Sequence, residues 1–176
     1  MLKKVSKIES LDKEALKEFF GRLSSAQQER ISDKKKSDEA LAARFVLREL
    51  VLEYTGEDMT EKISNDDKGR PFIEGRPDIF ISLSHSKGAV AAAVGERAVG
   101  IDIEYIRPVS EKIKARVCKN ALENDNEFFR VWTIKESYLK ASGITFSDML
   151  SLSIEELDIK TENEIVDGYM LSAVEL

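Results

Sequence analysis

The stretch VGIDIEYIRP, residues 99–108, alternates Val99, Ile101 and Ile103 with Gly100, Asp102 and Glu104. Alternation at a period of two predicts a β-strand, with the apolar set on one face and both carboxylates on the other. The Cα atoms of Asp102 and Glu104 then lie about 6.5–7 Å apart, near enough for both side chains to reach one cation. Taken alone, the pair reads first as the polar outer face of a half-buried strand. A site needs further groups from elsewhere in the chain.

Working outward, FISLSHS (80–86) and AVAAAVG (89–95) come just before, with Gly88 and Gly95 in short joints. They predict a run of antiparallel hairpins over 80–86, 89–95 and 98–104. KGRPF (68–72) is a turn. Further upstream, Leu11, Ala15, Leu16, Phe19 and Phe20 fall at helical spacing over 11–23, with Ser10 as N-cap. Leu41, Phe45, Leu47, Leu50 and Val51 mark a longer helix from Ser37 to Tyr54, stopped by Gly56. Downstream of Pro108, residues 110–142 read as two helices. The segments 150–160, 164–168 and 169–176 read as strands. Helix, strands, helix, strands is the order of an α+β protein with two comparable halves.

With 42% hydrophobic and 34% charged residues, the 176-residue chain has the composition of a globular protein. A single cysteine, Cys118, leaves no internal disulfide and is expected to be a small buried residue. No apolar run approaches the roughly 18 residues of a membrane span, and MLKKVSKIES lacks the apolar centre of a signal peptide, so the expected compartment is the cytoplasm. A net charge of −6 argues against nucleic acid as a partner. Two basic patches, Lys34 to Lys36 and Lys112, Lys114, Arg116 and Lys119, read as solvated faces.

WTIKESYLK (132–140) supplies what the strand lacks. Glu136 and Lys140 stand four apart, hence one helical turn above one another, and Trp132 with Leu139 gives the helix an apolar seam to press against a sheet. A lone E-x-x-x-K is ordinarily a surface ion pair. Packed on the strand, however, this helix adds a third carboxylate to Asp102 and Glu104, with Lys135 and Lys140 beside it. Three oxygen ligands with adjoining ammonium groups describe a Mg²⁺ site for a phosphate-bearing substrate. The chain has no G-x-x-x-x-G-K-[ST] loop.

Taken in order, KGRP (68–71), SLSHS (82–86), VGIDIE (99–104) and WTIKESYLK (132–140) resemble the 4′-phosphopantetheinyl transferases of the surfactin-synthetase-activating type. The last two match that family's G-[VI]-D-[IV]-E and W-[ST]-x-K-E-[SA]-x-x-K at every defined position. The resemblance spans about residues 30 to 142 and implies a near-complete, short member. The implied fold is an intramolecular pseudodimer of two α+β halves, 1–98 and 99–176, each a small antiparallel sheet packed by helices. The first half would carry the adenine and 3′-phosphate side and the second the metal site and catalytic helix; the expected protein is a monomer.

The implied reaction moves phosphopantetheine from coenzyme A to a serine of an acyl or peptidyl carrier protein and releases 3′,5′-adenosine bisphosphate. By motif, Asp102, Glu104 and Glu136 bind Mg²⁺, and Lys140 and Lys135 balance the pyrophosphate charge. Glu136 is the base, acting directly or through a water. Ser84 and His85 meet the 3′-phosphate, and Lys68, Gly69, Arg70 and Pro71 lie near the adenine. Lys34, Lys36 and Arg44 are candidates for an N-terminal phosphate contact, and Glu123 for a further acid. The carrier would dock on the 112–119 stretch. Two other readings stay open: another Mg²⁺-dependent phosphoryl-transfer enzyme, and a noncatalytic protein that holds coenzyme A or a carrier.

Overall fold

The computed structural model describes residues 1–33, 37–118, 122 and 124–176. In chain order the elements are β1 (Leu2–Lys7), α1 (Lys13–Arg22), α2 (Ser25–Ser32), α3 (Ser37–Thr55), β2 (Ile63–Asn65), β3 (Pro71–Ile73), β4 (Phe80–Ser86) and β5 (Ala89–Gly95). They continue with β6 (Val99–Tyr105), α4 (Glu111–Val117), α5 (Asp125–Ser142), α6 (Phe146–Ser151), β7 (Lys160–Val166) and β8 (Tyr169–Glu175).

Two three-stranded antiparallel sheets carry the molecule, ordered β1-β5-β4 and β6-β8-β7, with β2-β3 a separate hairpin. The α+β class expected from the sequence is the one observed. β5 is buried on both faces. Val90, Ala92 and Val94 pack with Val46, Leu47 and Leu50 of α3, while Ala89, Ala91 and Ala93 meet Ile101, Ile103 and Leu171 of the other sheet. Small alanines on that second face let the two sheets close on each other.

Both sheets repeat one order, in which the first strand of each set pairs with the last and the last with the middle one. Both hairpins turn on two residues of positive φ, Lys87 (44°) with Gly88 (88°) and Asp167 (51°) with Gly168 (83°), the torsions a type I′ turn requires. α3 and α5 end alike as well, on Gly56 and Gly143 at φ of 74° and 72°.

Three sequence expectations change here. β6 does not extend the run of hairpins: β1 occupies the free edge of β5, so β6 crosses to the second sheet and pairs with β8, Asp102 opposite Ser172. Residues 150–160 are not a strand. A capping box between Thr145 and Asp148 nucleates α6, a single turn follows at 154–156, and extended pairing starts only at Lys160. Helix α1 is capped by Asp12, not Ser10; its side chain accepts from Glu14 N and Ala15 N.

Candidate active site

The strand-to-helix contact that assembles the site depends on Gly100. A Cβ there would collide with the Ser137 carbonyl and crowd Ala141 N, so only glycine lets α5 lie directly on β6. Ser137 Oγ donates to Ser172 O at 2.9 Å, and Thr133 Oγ1 lies 2.7 Å from Ser172 Oγ, which fixes the helix on the sheet. In this register Lys140 extends over β6. Its Nζ donates to Ile101 O and to Asp102 Oδ1, both at 2.8 Å.

The other side of β6 is lined by a row of serines. Ser82, Ser84 and Ser86 share one face of β4 and face the unpaired edge of β6. Ser82 Oγ accepts from Ile101 N at 3.1 Å and Ser86 Oγ from Tyr105 N at 3.3 Å, so side chains satisfy strand donors that no neighbouring strand reaches. Ser84 Oγ donates to Asp102 Oδ1 at 2.7 Å and Ser86 Oγ to Glu104 Oε2 at 2.9 Å. Arg107 Nη1 stands 3.5 Å from the same Glu104 oxygen.

Negative charge is incompletely balanced at this point. Asp102 is buried, and its Oδ2 has no hydrogen-bond partner among the described residues. Burial pushes the Glu136 carboxyl above its ordinary range; the Asp102 carboxylate adds to this, Lys140 opposes it, and Glu104 adds again. Among the described residues no three His, Cys, Asp or Glu side chains already converge as a finished metal cage. The Lys140 ammonium rests on Asp102 instead. An orphaned carboxylate oxygen, and a second carboxyl whose ionisation is resisted by two others, suit a hard divalent cation, so Asp102, Glu104 and Glu136 fit as its oxygen ligands.

Lys140 also lines a cleft of about 680 Å³ between the β2-β3 hairpin, β4 and α5. Lys68, Gly69, Arg70 and Pro71 form its opposite wall, with Phe72 and Phe80 partly exposed in its lining. Asp66 builds the turn by accepting from Lys68 N at 2.9 Å, Arg70 N at 2.8 Å and Arg70 Nε at 2.7 Å. The Arg70 guanidinium covers the end of α5, where a Cβ on Gly143 would strike it.

Of the residues singled out from the sequence, Asp102, Glu104, Glu136, Lys140 and Ser84 come together, and Lys68, Arg70 and Pro71 line the cleft that Lys140 alone of the five reaches. His85 faces away from Ser84 toward α3, as strand alternation requires, with Nδ1 2.9 Å from Glu39 Oε2. Lys135 is not brought to the cluster. It is buried, and its Nζ donates to Val117 O at 2.8 Å and Leu150 O at 3.2 Å, on the side of α5 facing α4 and α6. Arg44 is half-buried on Asn65, outside the cleft lining, and burial, with Arg30 nearby, holds its guanidinium below its usual range. Cys118 is buried, which pushes its thiol up, away from nucleophile chemistry. Lys34, Lys36, Lys119 and Glu123 lie outside the described residues. Ser82, Ser86 and Gly100 were not singled out as site residues, although the serines' spacing of two in SLSHS marks one strand face.

Comparison with known proteins bears on this cluster directly. Residues 98–167, which contain all three carboxylates and Lys140, match the model of the 4′-phosphopantetheinyl transferase superfamily. Over that segment the chain is similar to that superfamily. The 4′-phosphopantetheinyl transferase HetI of Nostoc sp. is 32% identical over 120 residues, 58% of this chain and 50% of that protein. The 4′-phosphopantetheinyl transferase Sfp of Bacillus subtilis is 28% identical over 113 residues, 58% and 49% of the two chains. The 4′-phosphopantetheinyl transferase psf-1 of Bacillus pumilus is 29% identical over 149 residues, 78% and 64%. The chain thus spans about half the length of HetI and Sfp. Within the superfamily segment lie β6 and α5; the KGRP turn, Ser84 and His85 precede it. No helix among the described residues is long and apolar enough to cross a membrane.

Proposed function

We propose that this protein transfers the 4′-phosphopantetheine arm of coenzyme A to a serine of an acyl or peptidyl carrier protein, in the presence of Mg²⁺. The observation that carries this reading is Asp102, buried with its Oδ2 lacking a hydrogen-bond partner among the described residues and near enough to Glu136 to push that carboxyl up, while Lys140 links it to the cleft.

Asp102, Glu104 and Glu136 would hold the cation, which when bound supplies positive charge to the pyrophosphate oxygens. Lys140, fixed by the Ile101 carbonyl, presents an ammonium at the cleft wall to the same phosphates. Lys68 and Arg70 stand on the far wall for the adenine end. His85 is assigned to the 3′-phosphate region, whereas Ser84, on the opposite face of β4, holds Asp102 instead. Glu136 takes the proton of the carrier serine, directly or through a water; as a ligand of the cation it stays ionised and is a weak base, which favours the water route. The serine oxygen bonds to phosphorus, the phosphorus–oxygen bond to the nucleotide breaks, and 3′,5′-adenosine bisphosphate leaves. Residues 1–98 and 99–176 are read as two halves, a division that the repeated sheet order supports, and the protein as monomeric and cytoplasmic.

The carrier is assigned to α4, where Lys112 and Arg116 are exposed while Lys114 is occupied by Glu111 and Asp125. Carriers are acidic, and attraction to a chain of net charge −6 has to be local.

The test is intact-mass measurement of an apo carrier protein after incubation with this protein, coenzyme A and Mg²⁺, with and without EDTA. A phosphopantetheine mass gain abolished by EDTA is the expected result. No gain across fatty-acid, polyketide and peptidyl carriers would instead favour a protein that only binds coenzyme A or carrier.

A further inference from the structure

Glu39, in the first turn of α3, takes no part in the mechanism above, yet its side chain is only 15% exposed and both its oxygens are engaged. Oε1 accepts from Gly88 N at 3.2 Å and Oε2 faces His85 Nδ1 at 2.9 Å. Gly88 lies in the tight turn that joins β4 to β5, so the carboxylate is held at a fixed angle by backbone on one side while it meets the imidazole on the other.

An ionised carboxylate only accepts hydrogen bonds, so Nδ1 carries a hydrogen and Nε2 is the nitrogen turned away from Glu39. Among the described residues no hydrogen bond engages Nε2, and the side chain is 27% exposed. A phosphate oxygen arriving at Nε2 requires a hydrogen there too. The phosphate-bound ring is therefore the imidazolium, and Glu39 behind it supplies the counter-charge.

We infer that Glu39 is a positioning residue for coenzyme A selectivity: through His85 it fixes the ring orientation and charge that recognise the 3′-phosphate. This rests on the assignment of His85 to the 3′-phosphate made above. The competing role is structural, an anchor of the β4-β5 turn to α3 through the Gly88 bond alone.

The experiment compares KM and kcat for coenzyme A and 3′-dephospho-coenzyme A in the parent, Glu39→Gln, His85→Ala and the double variant. Glu39→Gln is expected to raise KM for coenzyme A about tenfold, the loss of one charge-assisted interaction, and to leave kcat and KM for the dephospho compound in place. In the His85→Ala background the same substitution should add nothing. An equal rise for both substrates, or an undiminished effect without His85, would overturn the inference. If His85→Ala itself fails to narrow the gap between the two substrates, the assignment of His85 is at fault and Glu39 falls with it. His85 is the single histidine of the chain, so its ring ¹⁵N shifts provide a readout independent of turnover. On adding 3′,5′-adenosine bisphosphate the parent should show both nitrogens protonated and Glu39→Gln should not; identical spectra would count against the proposal.

Discussion

Lys135 and Lys140 both belong to a motif that invites reading them together, and five positions on an α-helix separate them by about 140°. Lys140 therefore extends over β6 to Asp102, while Lys135 turns to the carbonyls of Val117 and Leu150. Lys140→Met is expected to lower kcat/KM by about 100-fold or more through lost charge stabilisation. Lys135→Met should cost about 1–3 kcal/mol of stability by leaving those carbonyls without their donor, with KM for coenzyme A unchanged; steady-state kinetics and urea unfolding separate the two. Adjacency of Lys135 and Glu136 in the chain says nothing of adjacency in space, which is why the destination of Lys135 was not legible while the Glu136–Lys140 spacing was. Glu136 has its own pH signature. Its carboxyl is raised in the folded protein, first by burial and then by Asp102, so its contribution favours folding below the ordinary glutamate range and is lost as pH rises through the folded value. Melting curves in EDTA should show stability falling with rising pH in that window, and Glu136→Gln should flatten the fall.

Elements follow from their own residues more readily than their partners do. The alternation in β4 and β6, the paired faces of α3 and the apolar seam of α5 are all written locally. β1 was not legible as a strand because Lys3, Lys4 and Lys7 of LKKVSK dilute its alternation, yet it is β1 that takes the edge of β5 and sends β6 to the other sheet. The contact of α5 with β6 turns on one missing methyl group. Gly100→Ala pushes the helix off the strand at Ser137 and is expected to cost about 1–3 kcal/mol, with a drop in transfer activity because Glu136 and Lys140 move with the helix. An unchanged melting temperature would show that α5 does not depend on this close approach.

Across the whole molecule, aligning the two hairpins on their turns pairs Ala89 with Tyr169, and their strand partners then set Lys4 in the place of Asp102 and Ser6 in that of Glu104. Glu49, seven residues before Gly56, answers to Glu136, seven before Gly143. The equivalent seam, between β1 and α3, is thus closed from within by Lys4, which pairs with Glu49 at 3.0 Å; on the opposite face of β1 Lys3 pairs with Glu162 at 3.2 Å and Glu164 at 2.8 Å. Lys3→Ala/Lys4→Ala should lower stability by about 1–2 kcal/mol, a few partly exposed pairs, and leave transfer intact, as melting and mass assays would show. The proposed carrier docking belongs to this scale too. Lys112→Glu/Arg116→Glu should raise KM for carrier and leave that for coenzyme A alone, and a matching loss for both substrates would refute α4 as the docking face.

The repeated sheet order has one more consequence. If two copies of a single half were paired, every lysine that closed one seam would close its twin, because one gene position would write both. A chain in which the sheet order occurs twice escapes this. Its two seams mutate independently, so one can trade acids for bases and become mortar while the other keeps Asp102 and Glu104.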